Sequence, residues 1–268
     1  MKARILSALV MAIVVILGIF KLPPAIFNAL ALLLVLAGLM EWRRLCSANP
    51  GVTLLSAGGI LALFGAYTMG FLGSIGLFVL LASGVLMWII KALSLATPLP
   101  SSKPLCMFDG MVSLGLTWLA MVVLRDQFGQ HSLMLVLLMV WGTDTFAYFG
   151  GKRFGKTKLA PNISPGKTRE GVVSGVLVAM LVAVVYTHLF IQPLASLTQM
   201  LVLLFVSMLV ALISVVGDLS ESKLKRAAGM KDSGSIIPGH GGILDRIDGL
   251  MAGIVVYAFY SSLAASVL

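Results

Sequence analysis

Residues 52–95 read VTLLSAGGILALFGAYTMGFLGSIGLFVLLASGVLMWIIKALSL, with Lys91 the one charge among them. The hydrocarbon core of a bilayer, about 30 Å thick, is crossed by roughly 20 apolar helical residues. This run is too long for one crossing and must turn back within itself, and Gly70, Gly73 and Gly76 mark the place. It reads as two spans, 52–71 and 74–95. Outward from it, comparable runs cover 5–20, 25–40, 105–124, 132–149, 171–190, 198–217 and 249–267. The expected fold is all-α, a polytopic transmembrane helical bundle of about nine spans.

Composition excludes the other classes. Of 268 residues, 59% are hydrophobic and 11% charged, and the mean hydropathy is +1.06. Soluble domains carry about 25% charged residues, and disordered chains need low hydrophobicity with high charge. The apolar runs approach 20 residues, whereas outer-membrane barrel strands alternate over about 10. The net charge of +9 sits in short loops between apolar runs, which is not a nucleic-acid-binding pattern. Cys46 and Cys106 are not expected to make a disulfide framework. Residues 1–4 are basic and 5–20 apolar, like a signal peptide, but Lys21-Leu22-Pro23-Pro24 replaces a small-residue cleavage site, so a retained first span is expected. No separate soluble domain is expected. Residues 1–130 form N-terminal membrane helices and 131–268 a C-terminal catalytic region of one integral unit.

Basic residues concentrate on cytoplasmic loops. With the N-terminus inside, the nine-span reading puts every Lys and Arg on the inside except Lys21 and Arg125. The two long polar loops, 150–170 and 218–248, are separated by two spans and share a side. That side is the cytoplasm.

Glu41 and Asp126 lie at span ends and Asp109 near a span start, and each is expected in a solvated or interfacial role. Asp144 differs, because it falls within the sixth apolar run, in Trp141-Gly142-Thr143-Asp144-Thr145-Phe146-Ala147-Tyr148. An intramembrane carboxylate is costly and marks a functional site by default. Tyr148 lies one turn on, on the same helical face. The 150–170 loop interleaves Gly, Lys, Ser and Thr, the groups that approach and hold phosphate. Gly166-Lys167-Thr168 is not a Walker motif, since the upstream glycine spacing is wrong and no strand is expected before it.

In the second loop Asp218, Glu221, Ser222 and Lys225 share one face of a helix that continues the eighth span out of the bilayer. Asp245 and Asp248 are three residues apart on the face of the last helix. Such a pair suits Mg²⁺, which takes one or two carboxylates together with water and substrate phosphates. The Gly239-His240-Gly241-Gly242 turn before it offers amides to an anion. His131 and His188 are expected to be structural. His240 is expected to orient a phosphate or carboxylate rather than to act as general base.

Ser222-Lys223-Leu224-Lys225-Arg226, Lys231-Asp232-Ser233-Gly234 and Ile237-Pro238-Gly239-His240-Gly241-Gly242-Ile243-Leu244-Asp245-Arg246-Ile247-Asp248 together resemble the signature of the phosphatidate cytidylyltransferase (CDP-diacylglycerol synthase) family. Asp144-Thr145-Phe146-Ala147-Tyr148, Phe154-Gly155-Lys156 and Ser164-Pro165-Gly166-Lys167-Thr168-Arg169-Glu170-Gly171 are similar to its other blocks, except that many members carry Lys where Gly166 stands. The resemblance implies a multi-span enzyme, here of the bacterial inner (cytoplasmic) membrane with its active site facing the cytoplasm. Its expected substrates are CTP and phosphatidate, its product CDP-diacylglycerol with release of pyrophosphate, and its cofactor Mg²⁺ with K⁺ as a second cation. Membrane lipids are its surroundings, nucleic acid is not a partner, and a homodimer is the candidate assembly.

On this reading Asp144, Lys167, Lys225, Arg226, His240 and Arg246 are the catalytic candidates. Ser164, Lys167, Thr168, Ser222, Lys225, Lys231, Gly241 and Gly242 are expected to bind the triphosphate or lipid phosphate. Asp218, Asp245, Asp248 and Asp144 are the expected metal ligands. A carrier for a phosphorylated solute also explains Asp144, but it should present gates on both faces. Another CTP-using lipid enzyme, a polyprenol kinase or an ether-lipid cytidylyltransferase, is the third reading.

Overall fold

A computed structural model describes residues 2–99, 102–236 and 241–267. Among these, nine helices follow one another: α1 (Lys2–Lys21), α2 (Pro24–Cys46), α3 (Pro50–Thr68), α4 (Ser74–Leu93), α5 (Lys103–Gln127), α6 (Gln130–Phe154), α7 (Arg169–Tyr186), α8 (Leu197–Ala227) and α9 (Leu244–Val267). Eight, α2 to α9, are long and apolar enough to cross a membrane, and α1 adds an apolar stretch over Val10–Lys21. The starts are written in the sequence. Proline occupies the first turn of α2, α3 and α5, where no helical N–H is lost. Asn49 and Ser196 accept hydrogen bonds from the N–H groups of Val52 and Gln199 and cap α3 and α8. The long apolar run breaks between α3 and α4 at Gly70, whose φ of 75° is open to glycine.

Long-range polar contacts sort into two ends, as alternating crossings require. At one end Arg125 of α5 donates to the Ile19 carbonyl in the last turn of α1 and to the Leu22 carbonyl just after it. There too Asn28 of α2 and Tyr67 of α3 donate to Asp126, and His131 of α6 meets the Tyr186 hydroxyl of α7 at 2.9 Å. At the other end Lys223 of α8 donates to the Ser94 carbonyl after α4, and Lys91 pairs with Asp109 at 2.7 Å. By the positive-inside argument this second end is cytoplasmic. It also holds a bond that the sequence reading did not expect: Cys46 and Cys106 are joined, tying the end of α2 to the start of α5.

The C-terminal helices pack as two close pairs. A Cβ on Gly175 of α7 would meet the Thr143 carbonyl oxygen of α6 at 2.6 Å. One on Gly217 of α8 would run into the Asp248 carbonyl of α9. Small residues at these contacts let helix backbones approach within the bilayer, where packing rather than apolar burial drives association. These pairs fix Asp144 beside α7 and Asp248 beside α8. At 31 residues α8 is about 46 Å long at 1.5 Å per residue, well beyond a ~30 Å core. Its last turns therefore stand out on the cytoplasmic side, as the spacing of Asp218, Glu221, Ser222 and Lys225 anticipated. The 150–170 segment is more ordered than the loop expected of it. Helix α6 continues to Phe154, and β1 (Lys158–Ala160) pairs antiparallel with β2 (Ser164–Thr168). Nothing in the Gly-, Pro- and Lys-rich sequence carries the alternation of a strand; the hairpin is short enough to be imposed by its ends.

Candidate active site

Three elements bring the expected acids together. Asp144 projects from α6, Asp218 and Glu221 from α8, and Asp248 from α9. Asp218, Glu221 and Asp144 lie near enough to Asp248, and Lys167 and Asp218 near enough to Asp144, for their charges to be felt there. Two ammonium groups enter this cluster. Lys167, at the end of β2, reaches Asp218 Oδ2 at 2.6 Å. Lys225 bridges Glu221 Oε2 and Asp245 Oδ1, each at 2.6 Å, with the Glu221 side chain fully buried and that of Asp245 8% exposed.

Local structure explains how Lys167 arrives. Thr168 caps α7, its Oγ1 accepting from the Gly171 N–H. Glu170 in the first turn accepts from the Lys156 and Thr157 N–H groups. The hairpin is thereby stapled to the start of α7, and its last strand delivers Lys167 to α8. Thr168, expected as a phosphate ligand, is buried in this cap. Ser164 lies at the start of β2, and Ser222 Oγ donates to Asp218 Oδ1 at 3.1 Å.

Asp245 occupies a different setting from its partner in the pair. Its Oδ1 takes Lys225, and its Oδ2 accepts from the N–H groups of Ser233 and Gly242 at 2.9 and 2.8 Å. Expected as a metal ligand, it has both oxygens engaged by protein donors. Gly241 and Gly242 wrap this carboxylate rather than opening away from it. Arg226 donates to the Met230 carbonyl, closing the end of α8. Lys231 and Arg246 are exposed. His240 lies outside the described residues.

Asp144, Asp218, Glu221 and Asp248 face two lysines, so negative charge exceeds positive in a partly buried site. Buried carboxylates persist only when paired or bound to metal. Glu221 Oε1 is buried and accepts no hydrogen bond among the described residues. Hard oxygen donors in surplus fit Mg²⁺. Among the described residues no three possible ligands form a ready cage, and Mg²⁺ needs none, since water and substrate phosphate complete its shell.

One acid was misjudged from sequence and a second was left without a role. Glu41, expected at a solvated span end, is 1% exposed, because α2 runs five residues past it and a distant loop covers it. Glu221 was placed on the right face of α8 but given no role. An acid inside a helix that outlasts its apolar run was the available signal for both.

Fold and site together define a polytopic membrane enzyme whose polar centre lies at the cytoplasmic ends of its C-terminal helices. The chain belongs to the cytidylyltransferase family, whose model matches residues 2–264. It is 33% identical to the phosphatidate cytidylyltransferase of Haemophilus influenzae, over 97% of this chain and 98% of that one. Identity to the Pseudomonas aeruginosa phosphatidate cytidylyltransferase is 36% over 96% of each. With the Thermotoga maritima enzyme of the same name it reaches 45%, over 48% of each chain.

Proposed function

We propose that this protein is a phosphatidate cytidylyltransferase, transferring the cytidylyl group of CTP to phosphatidate to give CDP-diacylglycerol and pyrophosphate. The observation that carries the reading is the convergence of Asp144, Asp218, Glu221 and Asp248 with Lys167 and Lys225 at the cytoplasmic membrane face. A water-soluble triphosphate and a bilayer lipid can meet there. Near-full-length relatives bearing that name support it.

Phosphoryl-type transfer asks a protein mainly for positioning and for charges set around the reacting phosphorus. A phosphatidate oxygen, already anionic at neutral pH, attacks the α-phosphorus of CTP, and pyrophosphate leaves in line. Lys167, released from Asp218, and Lys225 hold phosphate oxygens, with Arg226, Lys231, Arg246, Ser164 and Ser222 as further contacts. Asp218, Asp248 and Asp144 would hold Mg²⁺, and the surplus carboxylate supports K⁺ as a second cation, with Asp245 supporting the group through Lys225. The chemistry supplied by such a cation is neutralisation of the triphosphate and of the leaving pyrophosphate. His240 is assigned to orienting a phosphate.

The test is purified protein in detergent with labelled CTP, Mg²⁺ and phosphatidate. Lipid-soluble CDP product is expected. Product with a polyprenol or ether-lipid acceptor but none with phosphatidate would overturn the substrate assignment.

A further inference from the structure

Among the described residues, one charged side chain enclosed by the cytoplasmic loop belongs to the other half of the chain. Glu41, on α2, accepts at Oε1 from the Ile243 N–H (3.0 Å) and at Oε2 from the Leu244 N–H (2.9 Å) and the Ser233 hydroxyl (3.0 Å). It forms no ion pair among the described residues. Its charge is held by two amides at the start of α9 and one hydroxyl, the positive end of a helix serving as counter-charge. The enclosure is tight: a Cβ at Gly234 or Gly242 would collide with the Glu41 carboxylate. Ser233 is fully buried, and its Oγ also lies 3.0 Å from Asp245 Oδ2. One hydroxyl carries one proton, so Ser233 is shared between the two carboxylates. Asp245 in turn holds Lys225.

Resting on the cytidylyltransferase reading, we infer that Glu41 is a positioning residue of this active site. It anchors Ser233 and the start of α9, and through Ser233 it sets the orientation of Asp245 and hence of Lys225. Helix α2 can serve as the fixed point because its cytoplasmic end is packed against the start of α5. Trp42 is buried and its Nε1 donates to the Cys106 carbonyl at 3.0 Å. The N-terminal helices are then part of the catalytic apparatus.

The obvious variant is Glu41→Gln, which keeps the shape but turns an amide NH₂ against backbone N–H groups. Three readouts on full-length protein in detergent separate the outcomes. Limited trypsin cleavage after the exposed Lys231 reports the loop without reference to any activity, and should quicken at least tenfold. The kcat for CDP-lipid formation should fall at least tenfold, while the KM for phosphatidate stays within about twofold. Glu41→Asp, retaining the charge, should recover part of the kcat. If Glu41→Gln does not fold, Ser233→Ala keeps the Glu41-to-backbone bonds and removes only the shared hydroxyl; its kcat should fall severalfold. Unchanged kcat in the folded variant overturns the inference, even if cleavage quickens, because Glu41 would then be structural only. Unchanged cleavage overturns it too. Wild-type protein without CDP-lipid formation refutes the substrate reading instead, and leaves the cleavage arm to decide the anchoring.

Discussion

Lys167 Nζ lies 2.6 Å from Asp218 Oδ2, joining a hairpin of the cytoplasmic loop to the emerging end of α8. Both side chains remain partly exposed, at 20% and 25%, so solvent and ligands reach the pair. An ion pair so placed is weak as a strut and well suited to exchange its partner for a phosphate. Lys167→Ala should therefore leave thermal stability within about 1 kcal/mol. It should lower CDP-lipid formation about 100-fold or more, the usual loss when a charge facing a phosphoryl group is removed. Turnover assayed beside a melting curve checks both.

Asp144→Asn should reduce turnover by several kcal/mol in barrier terms, because its charge acts within the set formed by Lys167, Asp218 and Asp248. Asp126→Asn is the control. Asp126 sits at the opposite end, accepting from Asn28 and Tyr67, bonds an amide oxygen can keep, so its effect should stay within about 0.5 kcal/mol. Equal, mild losses in the two would remove Asp144 from the site.

The pair three residues apart should divide on substitution. Asp248→Asn should abolish Mg²⁺-dependent turnover and leave the protein folded. Asp245→Asn removes one of the two charges opposing a nearly buried Lys225, with Glu221 remaining, and should also destabilise the protein by about 1.5–3 kcal/mol, the worth of a hydrogen bond to a charged group. Denaturant titration in detergent, run with the activity assay, distinguishes them.

Gly217→Ala places a methyl against the Asp248 carbonyl. Forced overpacking of a tight interface costs about 1–3 kcal/mol. Both stability and turnover should fall, since Asp248 moves with its backbone. An alanine variant with wild-type values for both would show that α8 and α9 do not need this approach.

The crossings were legible because hydropathy alone dictates where a helix can sit in lipid; Gly70 and the Pro-bearing starts supplied the punctuation. The acids and lysines of the last two helices were legible because a 3.6-residue period places Asp218, Glu221, Ser222 and Lys225 together. Partners far apart in sequence were not. Glu41 stands next to Arg43 and Arg44 and looks like the rim of a span; only a loop folded over it makes it interior. The Cys46–Cys106 bond joins residues 60 apart, a pairing no spacing rule reveals. Asp245 reads as the equal of Asp248 until the Ser233 and Gly242 amides are seen to hold it.

The reach of Glu41 has a consequence for how the protein is made. Its amide partner at Leu244 lies 203 residues downstream. At about 5–20 residues per second, synthesis leaves roughly 10–40 s between the two. During that interval α2 enters the bilayer with an uncompensated carboxylate near its cytoplasmic end, where it can stay in the interfacial water. The acid then withdraws from water when the last helix arrives. A ribosome stalled before residue 244 would leave a chain threaded through most of its crossings yet still lacking the amides that hold that charge.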